Sequence, residues 1–275
     1  MRIKRVTFCL PWLLVGTSIV LGLCFYGPFQ SFQYEVPRWG QWPTLETPWL
    51  YALLHLVSFL PVFLLSFDRK VHYYMRWKAM AIPVLVVACF FIAWDVVFTH
   101  WKVWGFNDQY LSGWHLLGLP WEEWLFFFTI PFASIFIYEC LRAYLPLSFL
   151  PLREKWISIG LIVLFSGMAI AFYSRIYTSV TCLLTAAFLI WHLLYEDGSW
   201  RPRFYLAFLL TMIPFQIIDG ILTGGFTEQP VVLYNPQDFS GWRIVSIPVE
   251  DAIYGLLLLM AIVTLYERRR SRQGE

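Results

Sequence analysis

Charge is what this sequence has least of. Only 14% of its 275 residues are Asp, Glu, Lys or Arg, where a soluble domain carries about a quarter. That excludes an ordinary water-soluble enzyme and implies a chain solvated by lipid. Cysteines are few and show no paired spacing: Cys9, Cys24, Cys89, Cys140 and Cys182 lie in or beside apolar runs. They read as small apolar residues, which excludes a disulfide framework and a zinc site. No Gly-x-Gly-x-x-Gly is present, so no dinucleotide cofactor is expected, and no metal either. Lysine is missing from the middle of every apolar run, since Lys4, Lys70, Lys78, Lys102 and Lys155 all fall in loops or at ends. A retinal Schiff base therefore has no attachment point.

What the chain has in quantity is long hydrophobic sequence. Hydrophobic residues make up 59%, and apolar segments fall at roughly 7–27, 48–67, 79–99, 120–140, 156–174, 177–196, 204–222 and 246–266. Each is close to the ~20 residues that span a bilayer. The first follows Arg2, Lys4 and Arg5, and lacks a small-x-small cleavage site, so it reads as an uncleaved anchor rather than a signal peptide. With the N-terminus in the cytoplasm, the inner connections carry 16 of the 20 Lys and Arg. Basic residues are retained on the cytoplasmic side, so both termini are expected there, in a multi-pass protein of the cell membrane. The net charge of +2 says nothing about partners. The fold class is all-α, a polytopic bundle of seven to eight transmembrane helices.

The sequence also repeats itself. Asn107–Glu123 reads NDQYLSGWHLLGLPWEE and Asn235–Asp251 reads NPQDFSGWRIVSIPVED. Laid together at a constant offset of 128 they share Asn, Gln, Ser-Gly-Trp, Pro and Glu. Both run into apolar stretches that end in Tyr-Glu, at Tyr138-Glu139 and Tyr266-Glu267. Upstream, Phe91, Asp95 and Thr99 match Phe215, Asp219 and Thr223 at an offset of 124. The duplication spans an even number of crossings, so the two halves run parallel, unlike inverted-repeat transporters. The expected layout is an anchor and outer loop at 1–47, a first repeat at 48–140, a linking segment at 141–176, a second repeat at 177–266, and a basic tail at 267–275.

The repeats bring acids to one membrane level. Asp95 and Asp219 end outward-running helices, while Glu122, Glu123, Glu250 and Asp251 begin inward-running ones. An ionised carboxylate at the edge of the hydrocarbon costs a few kcal/mol unless paired or wet, and no basic residue lies inside the spans. The cheaper state keeps some of them protonated. Such a cluster is a proton donor suited to an apolar base. A plainer account treats Pro-x-Glu as a helix start whose acid complements the dipole, but the second acid in each copy and the preceding Asp exceed what a helix start needs. Trp94, Trp114, Trp121, Trp124, Phe126, Phe127, Trp242 and Tyr254 are expected to crowd these acids, where aromatic faces stabilise a cation without trapping it. Ser112-Gly113 and Ser240-Gly241 read as turns. His55 reads as a packed, hydrogen-bonded histidine, His100 and His115 as outer-loop residues, and His72 and His192 as cytoplasmic-side interface residues. Glu139 and Glu267 are expected to pair with Arg142 and Arg268 at the far face.

The stretches FIAWD, VWGFN, GLPWEEWLFF and IPVED resemble the membrane-embedded lycopene cyclases, which occur as two small subunits or as a fused chain. The resemblance covers about Leu50 to Tyr266. It implies conversion of the linear ends of lycopene into β-rings without net redox change and without a cofactor. It implies a linear carotenoid substrate, the lipid bilayer and other carotenoid-forming enzymes as partners, and no nucleic acid. Glu122 or Glu250 is expected to donate the proton, with Glu123, Asp251, Asp95 and Asp219 tuning it or receiving the released proton. The second half departs from the first, since Ile218, Val249 and Ala252 stand where Trp94, Trp121 and Trp124 stand in the first. Which half holds the donor stays open. A non-catalytic carotenoid-binding subunit or a proton-coupled transporter is the alternative.

Overall fold

The computed structural model describes residues 40–146 and 154–273, so the expected anchor at 7–27 lies outside the described residues. Every other apolar segment is a helix: α1 (Leu50–Leu65), α2 (Trp77–His100), α3 (Trp121–Tyr144), α4 (Glu154–Ala171), α5 (Ile176–Tyr195), α6 (Arg201–Leu222) and α7 (Val249–Gln273). Six of them are long and apolar enough to cross a membrane, and α1 is a shorter apolar helix of 16 residues. The sequence forms helices here because a backbone in hydrocarbon must satisfy its own hydrogen bonds. Pro120 sits at the N-cap of α3. Glu122 and Glu123 occupy the first turn, where the helix dipole favours acids.

The duplication is visible in the packing. Helix α1 lies against α3 as α5 lies against α7, and α2 lies against α7 as α6 lies against α3. The second helix of each three-helix unit thus packs on the last helix of the other. The units interlock, and α4 sits outside them against α5. At one end of the bundle the loops are also joined. Strand β1 (Trp104–Phe106) pairs antiparallel with β4 (Val232–Tyr234), placing Trp104 opposite Tyr234 and Phe106 opposite Val232. Each loop then makes a small hairpin, β2 (His115–Leu116) with β3 (Leu119–Pro120), and β5 (Arg243–Ile244) with β6 (Ile247–Pro248). Gly113 and Gly241 precede the hairpins at φ of 88° and 83°, a left-handed conformation open to glycine at little cost.

The other end is closed by a crossed clasp. The Tyr138 hydroxyl donates to Glu267 at 2.7 Å, and the Tyr266 hydroxyl donates to Glu139 at 3.1 Å. Arg142 joins both acids, at 3.4 Å from Glu139 and in direct contact with Glu267. Arg268 pairs instead with Glu196. The expectation that Glu267 takes Arg268 is corrected, because the α3–α7 contact brings Arg142 to it first. Removing Arg142 leaves two shielded carboxylates without their shared cation. We expect Arg142→Ala to cost about 2 kcal/mol of stability, read as a lowered thermal midpoint in detergent. His192, in the last turn of α5, is fully buried against Trp200, with ring centroids 4.9 Å apart. His55 is buried and hydrogen-bonded to Thr129 at 2.8 Å.

Candidate active site

A cavity of about 480 Å³ runs between the two units, walled by α1, α3, α6 and α7 and roofed by the β1–β4 loops. Its charged-type lining residues are Asp95, Glu123, Asp219 and Asp251, and among the described residues no Lys, Arg, His or Cys lines it. The rest of the wall is largely aliphatic and aromatic. Along α3 the lining extends from Glu123 to Ile137, about 20 Å of helix. The acids gather at the loop end of this space.

The six acids expected to act together divide into two groups with different surroundings. Glu122 is fully buried, and one oxygen accepts from the Ser112 amide at 2.9 Å and the Ser112 hydroxyl at 2.7 Å. Glu250 does the same in the second unit, accepting from the Ser240 amide at 2.8 Å and from the Thr178 hydroxyl. Neither lines the cavity. They tie the loop turns to the helix starts. Their helical neighbours, Glu123 and Asp251, are rotated by about 100° and line the cavity.

Phenols meet both of these inward acids. The Tyr51 hydroxyl donates to Glu123 at 2.6 Å. The Tyr177 hydroxyl donates to one oxygen of Asp251, and the Tyr234 hydroxyl donates to the other at 2.8 Å. Burial, and next the charge of Asp251, push the Tyr234 hydroxyl well above the ordinary phenol range, so it stays a donor. Asp95 accepts from the Trp104 indole at 2.6 Å and from Thr99 at 3.4 Å, and its second oxygen is buried without a partner. Asp219 likewise has one buried oxygen without a partner, and its carboxyl comes within hydrogen-bonding reach of Asp251. Two carboxyls can hydrogen-bond only if one carries a proton. Arg243 acts on this pair from outside the cavity, its guanidinium donating to the Ser246 carbonyl and lying 4.8 Å from the Phe239 ring centroid. Among the described residues, no group of three or more His, Cys, Asp or Glu side chains is placed to hold a metal ion.

The aromatic residues named from the sequence separate too. Phe126 and Tyr254 line the cavity. Trp94 and Phe127 stand behind them, with ring centroids 5.1 Å from Tyr254 and 5.3 Å from Phe126. Trp121 donates to the Ser112 hydroxyl and Trp124 to the Leu116 carbonyl at 3.2 Å, so both brace the hairpin loop. Trp114 and Trp242 do not crowd the acids, which corrects that expectation. They are 76% and 57% exposed, and Trp242 instead meets the Phe172 ring edge-to-face, with centroids 5.3 Å apart. The residues missed in the sequence are Tyr51, Tyr177, Tyr234 and Trp104. Tyr51 and Tyr177 each stand second in their helix, and carrying the repeat upstream into α1 and α5 finds them as a pair.

This geometry fits comparison with known proteins. A family model described as lycopene cyclase matches residues 48–141 and again 174–268. Each match covers one three-helix unit, from the start of α1 to the clasp and from the start of α5 to the clasp. No curated protein and no solved structure matches the chain. With more than half of its length matched in two copies of one model, this multi-pass membrane protein belongs to the lycopene cyclase family.

Proposed function

We propose that the chain is a lycopene β-cyclase, an isomerase that closes the linear ends of lycopene into β-rings by proton transfer alone. The observation that carries this reading is the cavity itself, a long apolar space whose charged-type lining is four carboxyl groups at one end. The chemistry asks for those parts. A proton added to the terminal alkene makes a tertiary cation. The next alkene closes on it to form the ring carbon–carbon bond. Loss of a ring proton then regenerates a double bond, so one proton enters, one leaves, and no electrons are exchanged. This requires a local acid, a local base, and exclusion of the water that would trap the cation.

The hydrogen bonds suggest which carboxyl does what. Asp251 receives a phenol on each oxygen, which fixes both oxygens at the cavity wall and suits it to accept the ring proton. Asp219, in reach of Asp251 and with an unpartnered oxygen, is suited to carry the proton delivered. Asp95 and Glu123 form the corresponding set in the first unit, on the same cavity wall. Glu122 and Glu250 thereby pass from candidate donors to loop anchors. Tyr254 and Trp104, whose rings meet at 6.3 Å across the cavity wall, offer faces to the cation. Basic residues Arg76, Arg142, Arg268, Arg269 and Arg270 gather at the end of the bundle away from the acids, which supports a cytoplasmic position for that end.

Expression of the full chain in a host that accumulates lycopene tests the reading. Cyclic pigment at the expense of lycopene is the expected result. Unchanged lycopene beside membrane-inserted protein contradicts it, and the monocyclic-to-bicyclic ratio reports whether one or both ends are closed.

A further inference from the structure

We propose that the linear polyene reaches the acids sideways from the bilayer, through a mouth between α1 and α6. The inference rests on the cyclase reading and adds the route of access. Among the described residues lining the cavity, only Val57, Pro61, Pro214 and Ile217 are exposed; every other is buried or half-buried. Two lie on α1 and two on α6. Val57 and Pro61 are four residues apart and Pro214 and Ile217 three apart, so each pair shares one helix face. Val57 is 61% and Ile217 59% exposed. The cavity therefore opens at the seam between these two helices.

The chemistry of the mouth says what passes through it. All four residues are apolar, and a passage for water or a polar solute would carry polar groups. Ile217 precedes Asp219 by two residues, and Val57 follows Tyr51 by six, so the mouth lies within about two helical turns of the acids. Both walls also contain a proline inside the helix. Pro61 has no amide to offer the Val57 carbonyl, and Pro214 none for Leu210, so each helix lacks a backbone rung beside the opening. Those are the places where the two helices part at least cost.

The cavity is shorter than its substrate. Its lining along α3, from Glu123 to Ile137, is about 20 Å, whereas a forty-carbon polyene is long enough to cross the hydrocarbon core of about 30 Å. One end reaches the acids while the remainder trails through the mouth into lipid. The second end must then enter in a separate binding event, so the monocyclic product mixes with the pool in the bilayer.

The test combines blocking the mouth with direct labelling. Val57→Trp and Ile217→Trp should slow ring formation about tenfold by obstructing access, while Leu183→Trp, on the exposed face of α5, should leave the rate unchanged. In the unmodified protein, a linear polyene carrying a diazirine at mid-length should label peptides containing Val57–Pro61 and Pro214–Ile217. Full activity in both mouth variants, or labelling confined to the His115–Leu119 and Arg243–Ile247 hairpins, overturns the proposal. If a mouth variant fails to accumulate, the labelling of the unmodified protein decides. If that protein labels at the mouth and forms no rings, the portal stands and the cyclase reading falls.

Discussion

Asp251→Asn abolishes ring formation, with a fall of about a thousandfold in rate and no change in the amount of protein in the membrane. The amide keeps one oxygen for a phenol, so the Tyr177 and Tyr234 contacts are partly retained and the fold has little reason to fail. What it cannot do is take up a proton. Asp219→Asn should have a similar effect, since it removes the other member of the contact pair. Because the two carboxyls act as a unit, the double variant should be little worse than either single one. Rate per unit of membrane protein, measured with pigment extracts, checks all three. Simple addition of the two losses contradicts a shared proton.

The second large effect falls on stability rather than chemistry. Glu250→Ala strips the acceptor from the Ser240 amide and the Thr178 hydroxyl in a fully buried place. Unsatisfied buried donors cost about 1–3 kcal/mol each, so we expect a loss of about 3 kcal/mol. Glu250→Gln keeps an acceptor oxygen and should lose much less. The same order is expected at Glu122, which holds Ser112. Thermal unfolding in detergent reads the ranking, and ring formation reads its meaning. If Glu250→Gln is as stable as the parent and makes no rings, Glu250 is part of the chemistry and the division of the acids proposed above is wrong.

That division shows where the sequence was legible and where it was not. The helices and the parallel duplication follow from hydropathy and a constant offset, because lipid leaves the backbone few choices. The shared level of the acids was legible for the same reason: helix ends sit at interfaces. Which of two adjacent acids faces the cavity was not. Glu122 and Glu123 differ only by one helical step, and the face turned inward depends on how α3 packs on α1 and α6. Tyr51 and Tyr177 escaped notice because they lie outside the repeated loop motif, in helices whose matching residues are mostly unlike. Tyr234 and Trp104 meet only through the pairing of β1 with β4, a contact over more than a hundred residues that no local pattern announces. The tryptophans of Ser-Gly-Trp misled in the opposite way. Their repetition marks a shared turn, and both side chains are exposed there.

Running the reaction in deuterium oxide measures the central step most directly. The proposed mechanism requires the cavity carboxyls to exchange their protons with solvent between turnovers, so that a proton handed to the linear end carries the isotope of the medium. The account expects one solvent deuterium in each newly formed ring, with the label and the ring both lost in Asp219→Asn. Rings that form without solvent deuterium would mean that no exchangeable acid starts the closure.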